Sequence, residues 1–320
     1  TGARNENPKH AGISHLLEHM LFRGTDKDKT GADIFKKLNS GGGLTNAYTS
    51  SDQTGYFVKT YNKNGPLAMN VLSDMIFKSK LDNNNLKKEQ KIVIEEINMG
   101  NDNPHKIVIK NFDINIFNGH PLSNDIGGDK KTVSGITQKV LKDYYDTHYH
   151  PSNIVLVVSG NTSGFSSIDK DINKHFNIKK KNNNISTIYE EMKLYCGGWR
   201  LVHSHLISEQ DNIVLGFPTF SYHNTPNRYI LEVLNVILGG NTSSKLFTKV
   251  REQYGLVYRI NSSIQIYEDN GFICVKTMCE TNKVANVIEL IIDIIEEFKS
   301  GQISNNDILN INCIDEKVKR

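Results

Sequence analysis

Residues 13 to 21 read I-S-H-L-L-E-H-M-L, and this stretch constrains the chain more than any other. Ile13, Leu16, Leu17, Met20 and Leu21 recur at spacings of three and four, which a helix gathers onto one buried face. The same winding sets His15 and His19 one turn apart on another face, with Glu18 beside them. Both imidazoles can reach one ion, and Glu18 is near enough to take a proton from a water there without being a ligand itself. Gly24 stands where such a helix should end.

A catalytic zinc site takes three protein ligands and keeps one position open, so a third ligand must come from elsewhere. A helix over about Asn84 to Met99 carries Leu86, Glu89, Val93 and Glu96 on one stripe. Carboxylates that share a stripe with apolar side chains need a cation or strong donors, because an unpaired buried charge is costly. A metal would meet that need; pairing with Lys88 or Lys91 on a solvated face is the alternative. Glu95 is turned about 100° off the stripe and reads as a surface residue. His10, His148, His150, His203, His205 and His223 lack such a pattern and read as surface or packing residues.

A length of 320 residues suits two domains. The polar stretch Lys179 to Thr187 marks the boundary, giving a zinc-binding domain at 1–180 and a second domain at 190–320. Within the first, Ala32 to Leu38 reads as a short helix and Leu44 to Thr60 as a hairpin turning near Ser51-Asp52-Gln53. Pro66 opens another helix, Gln138 to Tyr149 forms one more, and Asn153 to Ser159 (N-I-V-L-V-V-S) reads as a strand buried on both faces. The order of elements then recurs: Gly55 to Thr60 (G-Y-F-V-K-T) and Gly271 to Thr277 (G-F-I-C-V-K-T) each follow an apolar helix end, glycine, a second helix and a strand. The expected fold is α+β, two similar domains that are each a mainly antiparallel sheet flanked by helices. The chain opens at Thr1 and closes on an uncapped helical pattern from Asn306 to Arg320, so it reads as truncated at both ends.

Lysine and arginine number 38 against 35 acidic residues, and a net charge of +3 supplies no field for a polyanion; a nucleic-acid partner is not expected. No apolar run reaches the ~20 residues of a membrane helix, and a mean hydropathy of -0.44 suits a soluble protein without membrane insertion. Cys196, Cys274, Cys279 and Cys313 include no C-x-x-C pair and suit free thiols in a reducing compartment, cytoplasm or organelle matrix.

Several segments carry a wider likeness: Ala11 to Thr25 (A-G-I-S-H-L-L-E-H-M-L-F-R-G-T), Gly41 to Ser50 (G-G-G-L-T-N-A-Y-T-S), Glu89 to Met99, His120-Pro121-Leu122, Asn153 to Gly160 and Leu238 to Tyr258. Together they resemble the pitrilysin, insulysin and mitochondrial processing peptidase family of H-x-x-E-H zinc peptidases. That resemblance implies one Zn2+ per chain on His15, His19 and Glu96, with Glu18 as general base and Glu89 as a supporting glutamate. It implies that Asn46 and Ala47 offer main-chain groups to an extended peptide or unfolded polypeptide, added as a strand. It further implies that Arg251 and Tyr258 contact substrate from the half facing the zinc domain, hence from a second subunit of a homodimer or related heterodimer. Read without the family, Arg251 is a helix-surface charge and Tyr258 a packed strand residue. Where many relatives carry a glycine and a basic residue after His-Pro-Leu, this chain has Ser123-Asn124-Asp125, which bears on substrate preference. The rival reading, a noncatalytic partner or core subunit, is opposed by the intact His15, Glu18, His19 and Glu96; a structural zinc is opposed by the lack of a nearby cysteine.

Overall fold

The computed structural model describes residues 1–165, 167–177, 201–202, 204, 208–303 and 308. Lys179 to Thr187, all of 306–320 except Ile308, His203, His205, Cys196 and Cys313 lie outside the described residues. The chain divides into two compact units, Thr1–Gly100 with Pro121–Ile188, and Asn101–His120 with Tyr189–Arg320.

The first unit opens with α1 (Ile13–Leu21) and α2 (Gly31–Ser40), followed by the antiparallel hairpin of β1 (Leu44–Thr49) and β2 (Thr54–Lys59). Helices α3 (Gly65–Phe77) and α4 (Asn83–Asn101) come next, and α5 (Pro104–Ile116) leads into the second unit. The chain returns with α6 (Lys130–Gly135), α7 (Gln138–His148) and α8 (Ile168–Phe176). Local chemistry explains the boundaries. Thr30 and Asp33 form a reciprocal capping box at the start of α2, Pro66 occupies the first turn of α3, and the Asn103 side chain caps α5 ahead of Pro104. The core of this unit packs Ile13, Leu16, Leu17, Met20 and Leu21 of α1 with Leu86 and Val93 of α4 and Leu141 and Tyr145 of α7.

The second unit contains α5, β3 (Asp211–Thr219), α9 (Thr225–Asn235), β4 (Ile260–Ile266), β5 (Gly271–Cys279) and α10 (Val284–Lys299). Its strands form an antiparallel sheet in the order β3-β5-β4. Val275 and Cys279 of β5 pack with Val287, Ile291 and Ile294 of α10. Cys274 and Cys279 are buried free thiols. The recurrence seen in the sequence reappears as architecture. In the first unit a helix, two paired strands, a 3-10 turn at Asn62–Asn64 and a helix follow one another; in the second, a π-helical segment at Phe247–Gln253, two paired strands, a 3-10 turn at Thr281–Lys283 and a helix do the same.

The strand expected over Asn153 to Ser159 is not found: Asn153 ends a 3-10 turn, the rest joins no ladder among the described residues, and Val155 and Val157 are 88% and 79% exposed rather than buried. Apolar composition states what a segment can pair with, whereas a strand also requires a neighbour to supply its hydrogen bonds. No helix among the described residues is long and apolar enough to cross a membrane.

The start of α1 is held by backbone that no side chain could share. Gly12 precedes the helix at φ +89°, and a Cβ there would lie 2.5 Å from the Gly127 carbonyl oxygen. Gly128, at φ +68°, would drive a Cβ into the Ala11 carbonyl. Gly128→Ala should therefore lower stability by about 2 kcal/mol or more, combining left-handed strain with overlap. Gly119→Ala, also at positive φ (+78°) but with nothing within 4 Å of its Cβ, should cost only about 1 kcal/mol. Urea melts of both variants check the contrast.

Candidate metal centre

Packing one face of α1 into the core turns His15 and His19 outward, where their rings lie edge to face with centroids 4.7 Å apart. Glu96 of α4 meets both: its Oε2 lies 3.7 Å from His15 Nε2 and 3.8 Å from His19 Nε2. Such separations are too long for direct hydrogen bonds. They approach the roughly 3.4 Å expected between ligands that each sit about 2.0–2.1 Å from one tetrahedral zinc. The three donor atoms fall within 4.8 Å of one another, the one such group of three found among the described residues. Two imidazole nitrogens and a carboxylate oxygen are a donor set suited to zinc, so the residues present fit that ion. Glu95 is exposed and stands outside the group.

Glu89, two turns before Glu96 on α4, is buried (1% side-chain exposure) and receives a 3.2 Å hydrogen bond at Oε2 from His19 Nδ1. Its other oxygen pairs with Arg23 Nε at 2.5 Å. The lysine alternative for this carboxylate is thereby replaced by a histidine and an arginine. Burial opposes the Glu89 anion, but His19 and Arg23 outweigh it and hold its pKa below the ordinary carboxylate value. Burial likewise opposes the His19 cation, yet Glu89, with Glu18 and Glu96 adding, raises its pKa. A carboxylate at Nδ1 favours the tautomer that keeps the proton there and leaves the Nε2 lone pair for a metal.

Glu18 is buried beside these groups, and Thr49 Oγ1 at the end of β1 donates to its Oε2 at 2.5 Å. Burial raises its pKa, the Thr49 bond and His19 oppose the rise, and Glu96 adds to it. A carboxylate so placed holds protons more readily than an exposed one. Thr49 was not singled out in the sequence, although its alternation with Thr45 and Ala47 puts it on one face of β1. Glu6 was missed as well. Gly12 provides α1 with no side-chain cap; instead the backbone N–H groups of Gly12 and Ser14 donate to Glu6 Oε2 and Oε1 at 2.7 and 2.8 Å. No short sequence signature announces a cap delivered from outside the helix in this way.

Asn46 and Ala47 lie in mid-strand on β1, whose one partner among the described residues is β2. The Asn46 side chain accepts from the Ala47 N–H at 2.9 Å. Arg251 and Tyr258 belong to the second unit and come together there: the guanidinium lies 5.4 Å from the Tyr258 ring centroid and 4.4 Å from that of Phe247. Tyr258 is 79% exposed and sits before β4, so it is not the packed strand residue that pattern alone suggests. Ser123-Asn124-Asp125 forms a turn in which Asp125 Oδ1 accepts from the Gly127 N–H.

Residues 1–130 match the family model described as insulinase (peptidase family M16), and residues 135–311 match that of the peptidase M16 inactive domain. An uncharacterised zinc protease of Bacillus subtilis, YmxG, is 34% identical over 310 residues, which cover 97% of this chain and 74% of that protein. An uncharacterised zinc protease of Rickettsia felis is 33% identical over 270 residues, covering 84% of this chain and 64% of its own length. Among solved structures, a protease from Helicobacter pylori superposes with a TM-score of 0.91 at 25% identity over 100% of this chain and 77% of that one. Pitrilysin shares the fold at a TM-score of 0.67 and 18% identity, over 96% of this chain and 34% of its own.

Glu6 also yields a pH dependence. Burial, partly offset by the Ser14 and Gly12 hydrogen bonds and reinforced by Asp125, raises its pKa from 4.5 to about 7. A raised folded-state pKa means that the native chain binds more protons than the unfolded one between those values, so this group's contribution is complete below pH 4.5 and lost as pH rises through about 7. Stability should fall over that window by ~1–3 kcal/mol from this source. Urea midpoints measured from pH 5 to 8 should show a shallower decline in Glu6→Gln than in the wild type.

Proposed function

From the premise that the chain belongs to the M16 peptidase family, we propose that it is a zinc-dependent endopeptidase acting on peptides or unfolded polypeptides. The observation that carries this reading is the convergence of His15 Nε2, His19 Nε2 and a Glu96 carboxylate oxygen beside the buried carboxylate of Glu18. Those three residues would hold the ion. Zinc, when bound, supplies a Lewis acid that polarises a carbonyl and brings the pKa of water toward neutrality. Glu18 takes the proton from the attacking water and returns it to the leaving amine, while Thr49 orients the Glu18 carboxylate through Oγ1. Glu89 keeps the His19 ring turned with Nε2 toward Glu96. The outer edge of β1, at Asn46 and Ala47, receives an extended substrate by main-chain pairing, and the Asn46 side chain must release the Ala47 N–H when it does.

The internal recurrence supports one metal per chain. In the register that aligns Gly55 with Gly271, the positions matching His15, Glu18 and His19 are Leu231, Leu234 and Asn235, none of which could hold zinc or move its proton. The second unit contributes Arg251 and Tyr258 instead. With their rings and charge already clustered, they donate hydrogen bonds to substrate oxygen in a composite site shared between two subunits.

Glu18→Gln should keep zinc and lose at least ~10² in kcat, because the variant removes the proton acceptor and no ligand. Glu96→Ala should lose zinc, and Glu95→Ala should keep it. Metal content and cleavage of a quenched fluorogenic peptide pool decide; near-normal turnover of Glu18→Gln, or stoichiometric zinc in Glu96→Ala, would sink the reading. Mixing Glu18→Gln with Tyr258→Phe subunits should restore part of the activity. If exchange of subunits is verified and no activity returns, the composite site is wrong.

A further inference from the structure

Arg23 lies two residues beyond the end of α1 and is not one of the metal-binding group. Its position is fixed from two helices. Its backbone N–H donates to Met20 O at 3.0 Å, closing the last turn of α1, and its carbonyl accepts from Asn85 Nδ2 at 3.3 Å at the start of α4. From there its Nε reaches Oε1 of Glu89, whose Oε2 is engaged by His19. The geometry points to Arg23 as a positioning residue for the zinc ligand His19, acting through Glu89; this rests on the zinc reading above.

The physical case is one of rotational freedom. The terminal torsion of a glutamate is broad and roughly two-fold, so a carboxylate held at one oxygen can swing and present either oxygen. Glu89 is engaged at both, by a hydrogen bond from His19 at Oε2 and at Oε1 by an ion pair with Arg23, whose Nε–H is not aligned for a hydrogen bond. With Oε1 on Arg23, its plane is set, Oε2 has one direction to offer, and the His19 ring must turn to meet it. The ring nitrogen opposite, Nε2, is then aimed at Glu96 Oε2, 3.8 Å away. Lysine would supply the charge from a more flexible, more strongly hydrated ammonium in place of the planar guanidinium that lies against Oε1.

Charge alone predicts the opposite result, and this makes the role testable. A guanidinium acting only by its field repels a divalent cation, so its removal would tighten zinc binding. A positioning role means that its removal weakens binding. Supporting groups of this kind contribute about 10- to 100-fold in metal affinity, and Arg23, one contact further out than Glu89, should lie at or just below the low end.

The test is a double-mutant cycle on the full chain, with zinc affinity read by competition against a chromophoric chelator and the melting temperature of the metal-free protein read in parallel. Arg23→Gln should weaken zinc by about 5- to 10-fold, and Arg23→Lys by less. In a Glu89→Gln background, Arg23→Gln should change affinity by less than about 2-fold, because its route is already cut. If Arg23→Gln fails to fold, Arg23→Lys alone and with Glu89→Gln completes the cycle. Unchanged or tightened zinc binding in Arg23→Gln, or losses that simply add with Glu89→Gln, overturns the role of Arg23 and leaves the zinc reading intact. Failure of the wild-type chain to bind zinc overturns that reading and this role with it.

Discussion

The hydrogen bond between His19 and Glu89 ties α1 to α4 at a point where both helices are otherwise joined by apolar packing, and the geometry of the centre follows from it. Leu86 and Val93 flank Glu89 on the α4 stripe and are fully buried against the α1 face. Apolar contacts of this kind tolerate small slips; a buried carboxylate does not, because it must meet its donors or bear the cost of an unpaired charge. The polar contact thus pins the register that the apolar contacts stabilise. Since Glu96 lies two turns along from Glu89, pinning one delivers the other to His15 and His19. At the far end of α1, Glu6 and the close glycine backbones at Gly12 and Gly128 fix where the helix begins. A helix constrained at both ends and along its buried face has little freedom to move its histidines.

Three glutamates surround this centre, and their environments give them different chemistry. Glu89 is buried with two cationic or donor partners and stays an anion. Glu18 is buried with a hydroxyl partner, and its pKa rises. Glu96 is about half exposed and turns its carboxylate to both imidazoles. The same side chain thereby meets three environments, and it is the partners that set the charge and direction of each carboxylate, as in other sites where neighbouring carboxylates are driven apart in pKa.

The parts legible in the sequence were those with a period. The α1 and α4 stripes carry their spacing openly, so His15, His19, Glu89 and Glu96 could be set on the correct faces and Glu95 set aside before any coordinates. The hairpin from Leu44 to Lys59 was equally open, since alternation and a polar turn frame it. What pattern could not supply were contacts between segments that share no period. Glu6 reaches the α1 N–H groups from irregular chain, Thr49 reaches Glu18 from a strand, and Arg23 reaches Glu89 from beyond a helix end. Asn153 to Ser159 differs for the converse reason: its own composition is that of a buried strand, but burial is a property of what lies against it.

The two units show how one α+β plan can be put to different uses. Both run helix, hairpin, 3-10 turn, helix, and both bury an apolar helix face against neighbouring elements. In the first, the remaining face of α1 carries His15, Glu18 and His19. In the second, the corresponding positions are Leu231, Leu234 and Asn235, and the chemistry-bearing residues sit elsewhere, at Arg251 beside Phe247 and Tyr258. The buried face of α1 has no full counterpart either: in the same register Leu16 falls on Glu232, and Tyr229 and Val233 are exposed, so the second unit buries its apolar helix face on α10 instead. Among the described residues, the one group of three side chains able to share an ion lies in the part that matches the insulinase family model, and Leu231, Leu234 and Asn235 in the part that matches the inactive-domain model offer no such set.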